Sequence, residues 1–205
     1  MGANAVACRQ GSRTLLENVG FLLNGGDCLL IRGPNGCGKT SLLRTLAGLT
    51  RPSAGEVLLD LDSSIFVGHS NAIKGQLTPR ENLGFWASIY GAADTETALK
   101  SFNLWEARNL PARFLSAGQK QRLSLSRLLV ARRKIWILDE PTASLDAEGS
   151  SAFLSMVANH CAADGISVVA THLEFEIPGS AALDLPNYVP PSRTDGFPDF
   201  VSAEH

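Results

Sequence analysis

The stretch "GPNGCGKT", Gly33 to Thr40, fits the pattern G-x-x-x-x-G-K-[ST]; it lies between a short apolar run, "CLLIRG" (28–33), and a helix-like "SLLRTL" (41–46). Strand, glycine-rich turn and helix in that order is the context in which the pattern means a phosphate-binding loop. The glycines let backbone N–H groups turn inward around phosphate oxygens, and the helix start adds the positive end of its dipole. Lys39 can reach the β- and γ-phosphates, and the Thr40 hydroxyl can hold Mg²⁺. Gly33, Pro34, Asn35, Gly36, Cys37, Gly38, Lys39, Thr40 and Ser41 are therefore expected to bind a nucleotide.

Outward from the loop, apolar runs alternate with longer helical patterns. "CLLIRG", "SIFVG" (64–68), "IWILDE" (135–140) and "ISVVATH" (166–172) are brief and rich in β-branched residues, as buried parallel strands are. Between them, "KTSLLRTLAGL" and "AEGSSAFLSMVANHCAAD" space their apolar residues by three and four, as helices do. The expected fold class is α/β with a mostly parallel sheet. "GEVLLDL" (55–61) reads as a further strand after the turn-forming "RPSAG". From about 71 to 115 the pattern is helical, an expected insertion in a domain spanning 1–175. Residues 176–205, rich in Pro and Asp, are expected to form an extended or poorly ordered tail.

With 205 residues, the chain fits one domain able to bury a core. A formal charge of −2 gives no basic excess for nucleic acid. No apolar run approaches the roughly 20 residues of a membrane-spanning helix, and "MGANAVACRQGSR" lacks the features of a secretory signal. Cys8, Cys28, Cys37 and Cys161 are scattered without a C-x-x-C pair, which argues for a reducing cytosol and against zinc or a disulfide framework.

Two further motifs carry chemistry. In "IWILDEP", Asp139 ends an apolar strand where Mg²⁺ would be held, and Glu140 follows, placed to orient or deprotonate an attacking water. A solvated strand end is the plain alternative. "LSAGQKQRLSLSRLL" (115–129) reads as a helix with Ser116 as N-cap and Gln119 at the capping-box position. Gly118 in its first turn leaves backbone exposed at a helix N-terminus, a second place for an anion.

The phosphate loop, "LSAGQ", "ILDEPTASLD" and "VVATH" come in the order of the ATP-binding-cassette ATPases, and the chain resembles that family from about residue 8 to 175. The resemblance implies a P-loop NTPase fold with a small helical subdomain. It implies a homodimer of cassettes that hydrolyse ATP with Mg²⁺, in which Ser116, Ala117, Gly118 and Gln119 reach the nucleotide of the partner cassette. By the same resemblance Ser144, Leu145 and Asp146 form the loop joining the two sites, and His172 contacts the γ-phosphate.

Within the family, "VGHSNAIKGQLTPRENLGFW", "LSAGQKQR" and "ACRQGSRTLLENVGFLLNGGD" resemble the haem-exporter ATPases of cytochrome c maturation, the CcmA family. That implies a peripheral subunit on the cytoplasmic face of the inner membrane. Its partners would be membrane subunits of CcmB and CcmC type and, indirectly, the haem chaperone CcmE, without nucleic acid. An ATPase for lipid, peptide or ion export and a soluble regulatory cassette are the alternatives. The chain departs from most cassettes at two places. His69 stands at the spacing of the Q-loop Gln, where it could bind metal or water. Cys8 and Arg9 stand where many cassettes carry an adenine-stacking aromatic. Arg9 can stack through its guanidinium plane or simply face solvent.

Overall fold

The computed structural model describes residues 1–68, 70–91, 94–172 and 177–190. Along these run β1 (Gly2–Gln10), β2 (Arg13–Leu22), β3 (Cys28–Arg32), α1 (Lys39–Leu46), β4 (Ala54–Leu58) and β5 (Ser64–Val67). Then come α2 (Pro79–Tyr90), α3 (Thr95–Ser101), α4 (Ala117–Ala131), β6 (Ile135–Asp139), α5 (Ala147–Ala162), β7 (Ile166–Ala170) and β8 (Ala181–Asp184).

The apolar runs form one parallel sheet in the order β5-β6-β7-β3-β8. Every residue of β6 and β7 is buried, because both faces are covered. Leu29 and Ile31 of β3 face a core shared with α1 and β2, while Cys28 and Leu30 face a core with α4 and α5. A strand covered on both sides has no polar alternate positions, which is why these runs are uniformly apolar.

A second, antiparallel sheet has the order β2-β1-β4. Its first two strands join through Gly11-Ser12, with Gln10 opposite Arg13. It lays Val6, Leu16 and Val19 over α1. The helical stretch between β5 and β6 has its own core, in which Leu83, Leu99, Leu104, Leu115 and Leu123 are buried together.

Over 177–190 the chain differs from the extended or poorly ordered tail expected for 176–205; residues 176 and 191–205 lie outside the described residues. Ala181–Asp184 pairs in parallel with β3, with Leu183 opposite Ile31, and Leu183 and Leu185 are buried against the first core. With one buried side chain in four residues, β8 has too little periodicity to stand out among prolines and aspartates.

The strand order sets the site. β6, β7 and β3 lie side by side, with Asp139 opposite Ala170 and Ile31 opposite Ala170. Their carboxyl ends therefore deliver the phosphate loop, the Asp139-Glu140 pair and Thr171-His172 to one edge, the place where open parallel sheets bind ligands.

Candidate functional site

α1 starts on Gly38, whose φ of 107° is left-handed and open to glycine at little cost. A Cβ there would also press on Leu16 at 3.2 Å. No side chain caps this helix and its first turn carries no acid. By contrast α2, α4 and α5 are capped by Thr78, Ser116 and Asp146. The orphan N–H groups and positive dipole end of α1 are thus left for an anion from outside the chain.

A cavity of about 700 Å³ opens over that helix start, lined by Asn35, Gly36, Gly38, Lys39, Thr40, Ser41, Asp139 and Glu140 together with Cys8, Arg9, Gln10, Arg44 and Arg51. Gly33 and Pro34 face it indirectly: their carbonyls accept from Lys39 Nζ at 2.8 and 3.3 Å. Cys37 is half-buried in the loop.

Three polar side chains meet at the cavity's edge. Lys39 Nζ lies 3.5 Å from Glu140 Oε1, and His172 Nδ1 lies 2.8 Å from Glu140 Oε2. The His172 N–H also approaches Oε2 at 3.4 Å. The Glu140 side chain is only 14% exposed, against 48% for His172. Glu140 has a positive φ of 49°, and its N–H donates to Ala170 O at 2.9 Å. A left-handed conformation in a residue with a long side chain is uncommon; here the bond to the end of β7 holds it.

Next to it, Thr40 Oγ1 donates to Asp139 Oδ2 at 2.8 Å, and Asp139 is 2% exposed. A hydroxyl and a carboxylate are hard oxygen donors. Mg²⁺ typically takes one or two protein ligands beside water and phosphate oxygens, so this pair fits it. No cluster of three or more His, Cys, Asp or Glu that could hold a metal occurs among the described residues.

Ser116, Ala117, Gly118 and Gln119 are away from that cavity. Ser116 Oγ accepts the Gln119 N–H at 3.1 Å while Gln119 Oε1 accepts the Ser116 N–H at 2.9 Å, a reciprocal capping box. This segment meets Ser144 instead, in the stretch Ser144, Leu145 and Asp146: a Cβ on Gly118 would stand 2.9 Å from Ser144 O. Ser144 has a φ of 67°, and Asp146 caps α5 by accepting from Gly149 N at 2.8 Å. His69 lies outside the described residues.

Gln121 was missed in the sequence. It is buried, and its Nε2 donates to Pro141 O at 2.7 Å, tying α4 to the residue after Glu140. An amide in line with Leu125 and Leu128 on the buried stripe of α4 was the available signal. Asn82 was missed too. It bonds to Lys74 N at 2.9 Å and to the carbonyls of Lys74, Leu77 and Thr78, fixing the approach to α2.

Residues 16–143 match the ABC transporter family. The chain is 47% identical over 176 residues to the cytochrome c biogenesis ATP-binding export protein CcmA of Ruegeria sp. (strain TM1040), covering 86% of each chain. It is 45% identical over 180 residues to that of Paracoccus denitrificans (strain Pd 1222), covering 88% of this chain and 86% of the other. Among solved structures it resembles the dimeric bacterial ABC transporter cassette MJ0796, with a TM-score of 0.76, 25% identity, and 90% and 94% of the two chains covered. A dimeric post-hydrolysis state of MJ0796 bound to ADP and Pi gives a TM-score of 0.74 at 25% identity, over 84% and 88% of the chains. The fold, the uncapped helix over its cavity and these likenesses agree: the chain belongs to the ABC transporter family of ATP-binding proteins, among its CcmA members.

Proposed function

We propose that this chain is the ATP-hydrolysing subunit of a cytochrome c biogenesis export complex, acting as a dimer of cassettes that closes on two ATP molecules. The observation that carries hydrolysis is Glu140, held between Lys39 and His172 at the edge of the phosphate cavity. Lys39 rests on its own loop carbonyls and on Glu140. A γ-phosphate is a stronger partner for an ammonium than a carbonyl is. As Lys39 turns to the phosphate, Glu140 loses that cation and keeps His172. Its carboxylate then accepts the proton of the attacking water. With Nδ1 committed to Glu140, Nε2 is the His172 nitrogen left for the γ-phosphate. Thr40 and Asp139 would hold Mg²⁺, which supplies charge neutralisation on the phosphates.

Ser116, Ala117, Gly118 and Gln119 complete the partner's site in this reading. Their distance from the chain's own cavity and the dimeric MJ0796 cassettes support it. Ser144, Leu145 and Asp146 link the two sites, since Gly118 leans on Ser144. Residues 1–175 form the nucleotide-binding unit together with β8 and Leu185, which complete its parallel sheet and core, and the helical stretch of about 71–115 meets the membrane subunits, which are of CcmB and CcmC type. The haem chaperone CcmE is the indirect partner. No helix among the described residues is long and apolar enough to cross a membrane; in this reading the chain is a peripheral subunit at the cytoplasmic face of the inner membrane, as the relatives' name as export proteins suggests. The relatives' shared name favours this role over export of lipid, peptide or ions.

Glu140→Gln tests the assignment. The variant keeps ATP binding, stalls hydrolysis and accumulates as a closed dimer on size-exclusion chromatography; ordinary turnover refutes the role. For the partners, the tagged chain is isolated from a detergent extract. Recovery of a CcmB-type subunit supports the complex, and recovery of DNA or ribosomes overturns it.

A further inference from the structure

We infer that the surface around Trp105 rests on the headgroups of a bilayer rich in anionic lipid. None of the residues of this surface lines the nucleotide cavity, and the inference does not depend on the nucleotide reading. The small overall charge hides a strong segregation. Residues 71–134 carry 11 Lys and Arg against 4 Asp and Glu, a net +7, while the rest of the chain carries 7 against 16, a net −9. From Ala107 to Leu138 there is no acidic residue. Charge divided in this way suits an anionic partner that meets one side of the molecule only.

The positive charge gathers on one aromatic ring. Trp105 is half-buried, and the Arg108 guanidinium, the Lys100 ammonium and the Arg80 guanidinium lie 4.2, 4.6 and 5.9 Å from its ring centroid. Arg108 Nη1 also donates to Trp105 O at 2.7 Å. The indole face attracts each cation, but the cations repel one another. Glu96, 3.6 Å from Arg80 and 4.0 Å from Lys100, is the one carboxylate paired with them among the described residues. Glu106 is exposed beside Trp105 in the chain, so even counting both acids the cluster stays positive. The surface continues from Arg108, whose carbonyl accepts from Arg80 N at 3.3 Å, through exposed Leu110 to Arg113, which lies 4.8 Å over the exposed Phe114 ring.

This mixture selects a bilayer over a nucleic acid. The headgroup layer takes cations at its phosphates and amphipathic rings at the same depth. Exposed Leu110 and Phe114, set beside the cations, have a place there and none on a phosphodiester backbone. A nucleic acid base would need an open ring to stack on, and at Trp105 the cations already hold the ring. A flat bilayer also meets the basic side alone and leaves the acidic remainder in water.

The test is co-sedimentation of the full, nucleotide-free chain with vesicles of phosphatidylcholine alone and of phosphatidylcholine mixed with phosphatidylglycerol. The chain should pellet with the mixed vesicles, stay in solution with the neutral ones, and be released as salt rises from about 0.05 to 0.5 M, where screening is severe. Equal binding to the neutral vesicles, or binding to neither kind, overturns the inference and leaves the nucleotide reading untouched. Combining Arg80→Gln, Lys100→Gln and Arg108→Gln should weaken binding to the mixed vesicles about a hundredfold, roughly fivefold for each cation. Arg113→Glu, a single change at an exposed position, should weaken it about 25-fold on the same scale. Arg9→Gln, Arg13→Gln and Arg51→Gln together remove the same charge from the acidic part of the chain and should bind the vesicles as the parent does. A loss there comparable to that of the first triple variant makes net charge the cause and overturns the assignment to this face. Phe114→Ser should weaken vesicle binding about tenfold, the low end for withdrawing a large apolar side chain from water. Unchanged binding in Phe114→Ser, or an oligonucleotide bound as tightly as the mixed vesicles, overturns the bilayer as the partner.

Discussion

Gly118, in the first turn of α4, lies so close to the loop after β6 that a Cβ on it would stand 2.9 Å from the carbonyl oxygen of Ser144. Backbone cannot yield there as a flexible side chain could. Gly118→Ala therefore pushes the start of α4 away from the Ser144 loop. The expected cost is about 1–3 kcal/mol of stability, the range for overpacking a close contact. ATP binding to the isolated chain, which uses the distant phosphate loop, should be unchanged. Hydrolysis should drop at least tenfold, because Gly118 and Ser144 no longer move as one. Binding and turnover measured together check this; parent-like turnover at lowered stability would show that the contact is only structural.

Lys39 pairs with Glu140 in the nucleotide-free chain, and in the proposed function it turns to the phosphate. Lys39→Ala should weaken ATP binding by about 10- to 100-fold, the size of one lost charge-assisted hydrogen bond. It also leaves Glu140 without its ammonium, so the folded state should be slightly less stable. Unchanged ATP affinity in a titration would count against the assignment.

Gln121 connects the two motifs more rigidly than either motif does alone. Truncation to Ala strands the Pro141 carbonyl in the interior, with an expected loss of about 1–3 kcal/mol. Since Pro141 follows Glu140, hydrolysis should fall while ATP binding is kept. Gln121→Glu discriminates: a carboxylate cannot donate to a carbonyl, so it should behave as badly as Ala. If Gln121→Glu turns over like the parent, the bond to Pro141 has no part in catalysis.

Much of this arrangement was legible in the sequence, and the reasons are physical. The strands β3, β6 and β7 are buried on both faces, so each is a short unbroken apolar run, and the chemistry sits at the ends of those runs. The hairpin of β1 and β2 was hidden because register shifts between Ala3 and Val6, and again up to Arg9, break the two-residue alternation that reveals a half-buried strand. β8 was hidden by brevity. Within the site, Gly33–Ser41, Asp139 and Glu140 could be placed from their own motifs. The meeting of Lys39, Glu140 and His172 could not, since it depends on the order β6-β7-β3. Gln10 and Arg51 are exposed polar residues with no pattern of their own, and only the fold brings them to one cavity.

The stability of the chain should fall on mild acidification, with His160 as a cause. Its ring stacks on Trp136 with centroids 3.7 Å apart and planes 7° apart, and Nε2 lies 3.1 Å from Lys134 O. Burial pushes the imidazole below its ordinary value of 6.5, against the weaker pull of the neighbouring backbone bonds. The folded chain thus prefers neutral His160. Below pH 6.5 the unfolded chain takes up the proton first, so this stabilisation is complete above 6.5 and is lost as pH falls towards the folded value. Cys161 acts in a different window. A hydrogen bond with Cys28 draws its thiol below the ordinary 9.0 while the same pairing pushes the Cys28 thiol up, so the Cys161 contribution is complete above 9.0 and fades as pH falls below it. Thermal melts from pH 8 to pH 5 should therefore show two slopes, one above and one below 6.5. His160→Phe, which keeps a ring on Trp136, should flatten only the lower one; an unchanged lower slope would move the effect to another histidine.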